Sequence, residues 1–295
     1  MAAKPALEPK TAIGPAIRAI AAAVLAKARM AIIDPERSNE EAVHQFRRTM
    51  KEWRALMRLL APFIPDAPRL RVEGRDHARA LATARDGAAA LNAFDTLIDN
   101  GILVLSARSS ETIRSRIEAL RGSEEKAVMT GEQRDAIVAW IDRTAASIET
   151  WPLDPFDFSS IAAQLAYSYR NARRRIPSDW AMANAEELHT LRRCVVELRY
   201  QMELVEPLWP RFAKMWTDEA ERLRGRLGQC QDLEVLMQLT ALHGPLAHWR
   251  SRLTPACTER FDALAQRASR IAYRLFSEKP KPFRHRLEML WEHSK

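Results

Sequence analysis

The chain of 295 residues is long enough for two domains or one large one, and its composition argues against a β-sheet protein. Glycine is scarce at 9 residues, long stretches are rich in Ala, Leu, Arg and Glu, and no run of alternating Val, Ile and Thr occurs, which favours helices. A net charge of +8 and a pI of about 9.7 indicate a polyanion or an anionic surface as partner, unless the basic surface serves solubility alone.

The hydrophobic periodicity and the prolines predict eleven helices, and the fold class is therefore all-α. In chain order they cover about 12–33, 39–61, 69–105, 108–121, 131–149, 157–176, 181–206, 211–228, 231–243, 256–277 and 283–293. Pro255 is among the prolines expected to mark boundaries. Ser38 is predicted to cap the second helix. WPLDPFDFSS at 151–160 is the predicted linker in the middle of the chain.

Cysteine usage and the N-terminal segment bear on the compartment. The three cysteines form no CxxC pair and are odd in number, which predicts a reducing cytosol and no disulfide framework. The apolar segment near the N-terminus carries Arg18, Lys27 and Arg29, so its uncharged stretches are far shorter than the ~20 residues of a bilayer span. We expect a cytoplasmic protein without a membrane span, and an amphipathic helix here.

One motif occurs twice. VHQFRRTMKEWRAL at 43–56 matches LHTLRRCVVELRYQ at 188–201, each with His, Arg at +3 and +4, and Arg at +10. A proline stands 18 residues after each histidine, and an aspartate, Asp86 or Asp232, stands 42 or 43 residues after it. This duplication predicts two related helical halves, 12–155 and 156–293, packed about a pseudo-twofold axis.

The first copy places positive charge beside a packing face. On a helix, four basic residues fall within roughly 60° of one another: Arg47, Lys51, Arg54 and Arg58, with His44 beside them. The predicted core face of this helix is formed by Phe46, Met50, Trp53, Met57 and Leu60. In the second copy the core face is Leu188, Leu191, Val195, Leu198 and Met202, flanked by His189, Arg192, Arg199 and Glu203.

Such a line of charge needs a negative partner. Like charges four residues apart repel, and Glu52 is the only acid between 44 and 58. Carboxylates of other helices are one candidate, with Asp86, Asp232 and Glu203 available. A third basic cluster, YRNARRR at 169–175, has few acids nearby. The arginine fork donates two parallel hydrogen bonds to phosphate, so a linear phosphate polymer is the other candidate.

The paired motifs, together with LGQCQDLEVL and KPKPFRHRLEMLW, resemble the CHAD family, the conserved histidine α-helical domain, over about 12–293 as a single domain. The resemblance implies an all-α fold of two four-helix-bundle halves with pseudo-twofold symmetry and a central basic cavity or pore. It also implies binding of inorganic polyphosphate, often at polyphosphate granules. No catalytic activity is implied, and no cofactor is expected.

Site residues follow from the resemblance and from the basic clusters. The first family motif matches His44, Arg47, Lys51 and Arg54, and the second matches His189, Arg192, Arg199 and Tyr200. Further candidate polyphosphate contacts are Arg58, Arg170, Arg173 and Arg174. Asp86, Asp232 and Glu203 are predicted to orient basic side chains, with helix capping as the alternative for the two aspartates.

The second motif departs from the family pattern. Val196 stands where the first copy has Lys51, which predicts unequal halves. Arg193 is not expected to replace the missing charge, because it lies about 100° further round the helix.

Other functions were weighed against polyphosphate binding. The histidines have no metal-ligand spacing, and neither a glycine-rich phosphate loop nor a nucleophile elbow is present, so we expect no metal site and no enzyme. Nucleic-acid binding remains open on electrostatic grounds, although Gln45 is the only amide near the first basic line. A scaffold that docks an acidic protein partner is the other open alternative.

Overall fold

The computed structural model of the protein describes residues 6–9, 11–81, 86–123, 129–154 and 156–294, with the side chains of Asp86 and residues 121–123 outside that description. Over these ranges the chain forms eleven α-helices and three short 3-10 helices, with no β-strand, and the all-α prediction is confirmed. Among the same residues, no helix combines the length and the apolar composition that crossing a membrane requires.

The helices follow one another with short connections. In chain order they are α1 (Ile13–Ile33), α2 (Asn39–Leu60), α3 (Ala67–Ala80), α4 (Asp86–Asp99), α5 (Ala107–Ser123), α6 (Gly131–Ser147), α7 (Phe158–Arg173), α8 (Ala185–Glu203), α9 (Pro210–Gln238), α10 (Arg250–Leu275) and α11 (Pro280–His293).

Three predicted boundaries are wrong. The helix expected over 69–105 is two helices, since α3 ends at Ala80 and α4 begins at Asp86. The helices expected over 211–228 and 231–243 are the single α9, in which Leu227, Cys230 and Leu233 are all buried and continue one core face across the expected break. Pro255 lies inside α10 rather than at its end, where it removes only one backbone hydrogen bond.

The start and the core face of α2 agree with the sequence. The Ser38 hydroxyl accepts from the Glu41 amide at 3.2 Å, and the Glu41 carboxylate accepts from the Ser38 amide at 3.1 Å, so the predicted cap is a reciprocal capping box. The five apolar residues predicted for the α2 core face are all 0% exposed: Phe46, Met50, Trp53, Met57 and Leu60. The core face predicted for α8 is equally buried.

The two motif helices, α2 and α8, lie in contact. Gln201 of α8 donates to the Ala55 carbonyl of α2 at 3.0 Å, and Gln201 is fully buried. Helix α2 also packs on α1 and α3, and α8 also packs on α7 and α9. Helix α4 packs on α9, across the predicted division of the chain. The two halves and their pseudo-twofold relation stay predictions.

Candidate anion-binding site

The basic residues of α2 border its core face as the periodicity predicts. We call His44, Arg47, Lys51, Arg54 and Arg58 the α2 stripe. His44, Lys51 and Arg58 are exposed, while Arg47 and Arg54 are half-buried. Glu52 is engaged on the α1 side of the helix, where Lys27 Nζ donates to its Oε2 at 2.9 Å. The one acid within this stretch of α2 is therefore paired with a cation of another helix.

At its C-terminal end the stripe meets arginines from other segments. Arg71 and Arg75 of α3 and Arg193 of α8 lie close enough to Arg54 for their charges to act on it. Arg175, just after α7, acts in the same way on Glu197 of α8. We call the following six residues the arginine cluster: Arg54, Arg58, Arg71, Arg75, Arg175 and Arg193.

Glu197 lies among these arginines. Its Oε1 is 3.7 Å from Arg58 Nε, and its side chain is 27% exposed. Arg54 and Arg71 also act on Glu197. A second carboxylate, Asp76, pairs with Arg75 at 2.8 Å on the exposed rim of the cluster. Six guanidinium groups thus face two carboxylates, and the cluster keeps a surplus of positive charge.

Burial and mutual repulsion show in the ionisation of the cluster. Burial lowers the pKa of Arg54 and of Arg71 from the usual arginine value, and neighbouring arginines lower each of them further. Burial raises the pKa of the Glu197 carboxyl, which the surrounding arginines oppose. The Nε atoms of Arg54 and Arg71 are buried without a hydrogen-bond partner among the described residues. An anion with several acceptor oxygens would satisfy both the charge and these donors.

Five members of this site were not among the predicted contacts: Arg71, Arg75, Arg175, Arg193 and Glu197. The spacing held a signal, because Arg71 and Arg75 are four apart, and so are Arg193 and Glu197, and residues four apart share a helix face. Arg193 points away from Arg192, as expected from the helical period, but the side of α8 that carries Arg193 is the side that packs on α2. Which face meets α2 is a matter of tertiary packing, and no local pattern reveals it.

The second motif on α8 faces α9 instead. His189 Nδ1 lies 2.9 Å from the side-chain oxygen of Gln231. The Arg192 guanidinium lies over Gly228, whose missing Cβ would be 3.4 Å from Arg192 Nε. Further along, Arg199 pairs with Glu203 at 3.1 Å and with Glu221 at 3.4 Å. Residues later in α8 contact residues earlier in α9, which is the pattern of antiparallel helices.

The remaining predicted residues of this region have local partners. The Arg199 guanidinium lies 4.6 Å from the Tyr200 ring centre, and Tyr200 is only 8% exposed. The buried ring therefore makes a cation–π contact with Arg199. Val196 is half-buried beside them. Asp232 accepts from Asn92 of α4 at 3.4 Å. The side chain of Asp86 lies outside the described residues.

Arginines at the end of α7 point in several directions. The Arg170 guanidinium lies 5.2 Å from the Tyr167 ring centre. Arg173 Nε donates to the Phe276 carbonyl just after α10 at 2.9 Å, and Arg174 is exposed. Of this segment it is Arg175 that acts on Glu197. The four arginines within residues 170–175 thus have different surroundings in the structure.

Two surface pockets lie away from the α2 stripe. One is formed by the start of α1, the start of α7 and Trp291. The other, between α4, α9 and α10, is lined by Asp232 and Arg260 among others. The central basic cavity therefore stays a prediction. Among the described residues, no three His, Cys, Asp or Glu side chains are grouped as metal ligands.

These features define an all-α protein in which two contacting helices carry the same histidine–arginine motif. The CHAD domain family matches residues 16–241, and the chain belongs to this family. The crystal structure of the CHAD domain from the plant Ricinus communis is similar in fold, with a TM-score of 0.56 and 18% sequence identity over 97% of this chain and 95% of that chain. No curated protein sequence matches the chain.

Proposed function

We propose that this protein binds inorganic polyphosphate, without catalysis, through the α2 stripe and the adjoining arginine cluster, and that it does so in the cytoplasm at polyphosphate granules. The observation that carries the proposal is the cluster itself. Six arginines from α2, α3, α8 and the segment after α7 lie together, and four of them, Arg54, Arg58, Arg71 and Arg175, act on the single carboxylate of Glu197. The buried Nε atoms of Arg54 and Arg71 have no hydrogen-bond partner among the described residues.

Phosphate chemistry matches this surplus of donors. Each guanidinium offers up to five N–H groups in a rigid plane and stays charged at any ordinary pH. A polyphosphate chain offers several charged oxygens at every phosphorus, so neighbouring arginines can share one chain. Binding would also relieve the repulsion between cluster members, because each added negative charge lies between positive ones.

The α2 stripe extends the site along one direction. Arg47 and Arg58 are eleven residues apart, which is about 16 Å of helix at 1.5 Å per residue. Lys51 and Arg54 lie between them on the same side. A linear polyanion can follow this line from the exposed end near His44 into the cluster, which favours a polymer over a single compact anion.

The side chains of the site support binding rather than chemistry. Arginine donates hydrogen bonds but does not accept a proton at neutral pH, so the cluster supplies no general base through these groups. Glu197 is held beside several cations, which makes it a charge partner within the site. We therefore propose that the protein binds and releases polyphosphate without altering it chemically.

A titration with polyphosphates of defined length tests the proposal, and α3 offers a matched pair of variants. Arg71→Ala removes a cluster arginine and should weaken long-chain binding about ten- to a hundredfold, the effect of one charge-assisted hydrogen bond. Arg69→Ala is the control, since Arg69 lies on the same helix but pairs with Asp66 and Glu73 in exposed positions. Equal affinities for the wild type and both variants would contradict the proposed site.

Nucleic acid remains the competing ligand because the whole chain carries a charge of +8. DNA, heparin and orthophosphate should be titrated beside polyphosphate at equal charge. We expect long-chain polyphosphate to displace DNA, because the site offers arginine forks to phosphate and few amides to bases. Displacement of polyphosphate by DNA at equal charge would favour the nucleic-acid function instead, and tight binding of an acidic peptide would favour a protein partner.

A further inference from the structure

The centre of the arginine cluster already holds an anion of the protein itself. Glu197 Oε1 lies 3.7 Å from Arg58 Nε, which is an ion pair beyond hydrogen-bonding distance. Other arginine–carboxylate pairs of this protein are closer, such as Arg114 with Asp95 at 2.8 Å. Glu197 therefore neutralises part of the cluster without occupying the donors of any single arginine.

We propose that Glu197 acts as a built-in competing anion, which makes the arginine cluster selective for polymeric phosphate over single phosphate or sulfate ions. This inference rests on the proposed function, and it assigns to one residue the discrimination by chain length. Glu197 is a specificity-determining residue in this account, and it need not touch the bound polymer.

The selectivity follows from tethering. A carboxylate fixed to α8 has a high effective concentration at the cluster, whereas a free ion must displace it or tolerate its charge. A single phosphate or sulfate gains only the contacts at that one place. A long chain instead reaches Arg47 and Lys51 of the α2 stripe as well. It therefore gains several contacts with basic side chains, while competition from Glu197 removes at most one of them.

Proton uptake should accompany the binding of a small anion. The charged groups that act on Glu197 come from three elements: Arg54 and Arg58 of α2, Arg71 of α3 and Arg175 after α7. Along α8, Glu197 acts on the titratable Cys194 thiol, and Arg193 lies one helical turn before Glu197. An anion seated among these arginines repels the Glu197 carboxylate and favours its protonated form. Affinity for a small anion should therefore rise as the pH falls through the pKa of Glu197.

Sulfate is the probe for this inference, because its charge is constant over the pH range of interest. Glu197→Gln keeps the size of the side chain and removes its charge. We expect the variant to bind sulfate on the order of tenfold more tightly than the wild type at pH 7.5, as expected for relief of one charge interaction, and to bind long-chain polyphosphate with a much smaller gain. The control is Glu288→Gln on α11, whose carboxylate is similarly exposed, at 26%, but is hydrogen-bonded to Arg284 at 2.9 Å away from the arginine cluster.

The pH profile and the melting temperature give independent readouts. Sulfate affinity of the wild type and of Glu288→Gln should rise between pH 8 and pH 5, and that of Glu197→Gln should rise less. If Glu197→Gln is less stable at low salt because the arginines have lost their carboxylate, sulfate should raise its melting temperature more than that of the wild type, since a ligand of the folded state stabilises it.

The inference would be overturned if Glu197→Gln bound sulfate with the affinity of the wild type and if sulfate raised the melting temperatures of both proteins equally. This outcome would be decisive whatever the affinity for long-chain polyphosphate. Failure of the wild type to bind long-chain polyphosphate would contradict the proposed function. The sulfate measurements would still decide the role of Glu197, so the two failures are distinguishable.

Discussion

Arg54 and Arg199 stand ten residues after the histidine in the two copies of the motif, yet their surroundings differ. Arg199 is paired with Glu203 and Glu221, and its side chain is 17% exposed. Arg54 is surrounded mainly by other arginines, with Glu197 as the opposing charge that acts on it. The same residue type therefore supports the structure in one copy and holds surplus charge in the other.

A pair of substitutions tests this difference. Arg54→Met should leave the free energy of unfolding unchanged or raise it by about 1 kcal/mol, because repulsion is relieved and a buried charge is removed, while polyphosphate affinity falls about ten- to a hundredfold. Arg199→Met should lower the free energy of unfolding by about 1–3 kcal/mol, because Glu203 and Glu221 each lose one ion pair. Urea denaturation and binding titrations measure both, and a marked loss of stability in Arg54→Met would contradict the account.

At the scale of elements, the position of α3 on α2 places Arg71 and Arg75 in the cluster. Gly74 makes this close approach possible, since a Cβ there would lie 2.9 Å from Trp53 Cδ1 and 3.3 Å from Met50 Sδ. Trp53 cannot yield easily, because it is fully buried and its Nε1 donates to the Leu70 carbonyl at 3.2 Å. The packing of one glycine thus sets where two binding arginines lie.

Gly74→Ala should therefore disturb both stability and binding. We expect a loss of about 1–3 kcal/mol in the free energy of unfolding, typical of overpacking in a core, and weaker polyphosphate binding as α3 moves away from α2. Gly225→Ala is the control, because a Cβ at Gly225 in α9 meets nothing within 4 Å and alanine favours a helix by up to about 1 kcal/mol. Chemical denaturation would decide; a Gly74→Ala protein as stable as the wild type would show that α3 tolerates the shift.

At the scale of the whole molecule, the net charge of +8 draws polyanions to the surface, while the arrangement of helices decides where they are held. Helices α2, α3 and α8 and the end of α7 each bring arginines to one place, although α2 and α3 are far from α7 and α8 in sequence. Long-range attraction is screened within about 8 Å at physiological ionic strength. Contacts in the cluster should then dominate affinity when salt is added.

Polyphosphate affinity should fall steeply as salt rises, with the logarithm of the affinity linear in the logarithm of the salt concentration, as counterion release requires. Arg71→Ala should make that slope shallower by about one unit, since one phosphate contact is lost. Titrations from low to physiological salt measure both slopes. An affinity that does not change with salt would exclude the arginines as the main contacts.

Much of the fold was predictable because it depends on local periodicity. The core faces of α2 and α8 and the Ser38 cap are set by residues within a few turns of one another, and the structure has them as expected. The helix boundaries were harder. Gly228 does not end α9, because the buried face of the helix continues on both sides of it. The region expected as one long helix over 69–105 contains two helices.

The sequence by itself determined the helical class, the duplicated motif and the line of positive charge along α2, since each depends on spacing within a single helix. Only the tertiary structure decided the partner of each charge. It placed Glu221 of α9 beside Arg199, and Arg71, Arg193 and Glu197 beside Arg54. Charge pairing depends on distances of a few ångströms between helices, and the period of one helix carries no information about how its neighbour is placed.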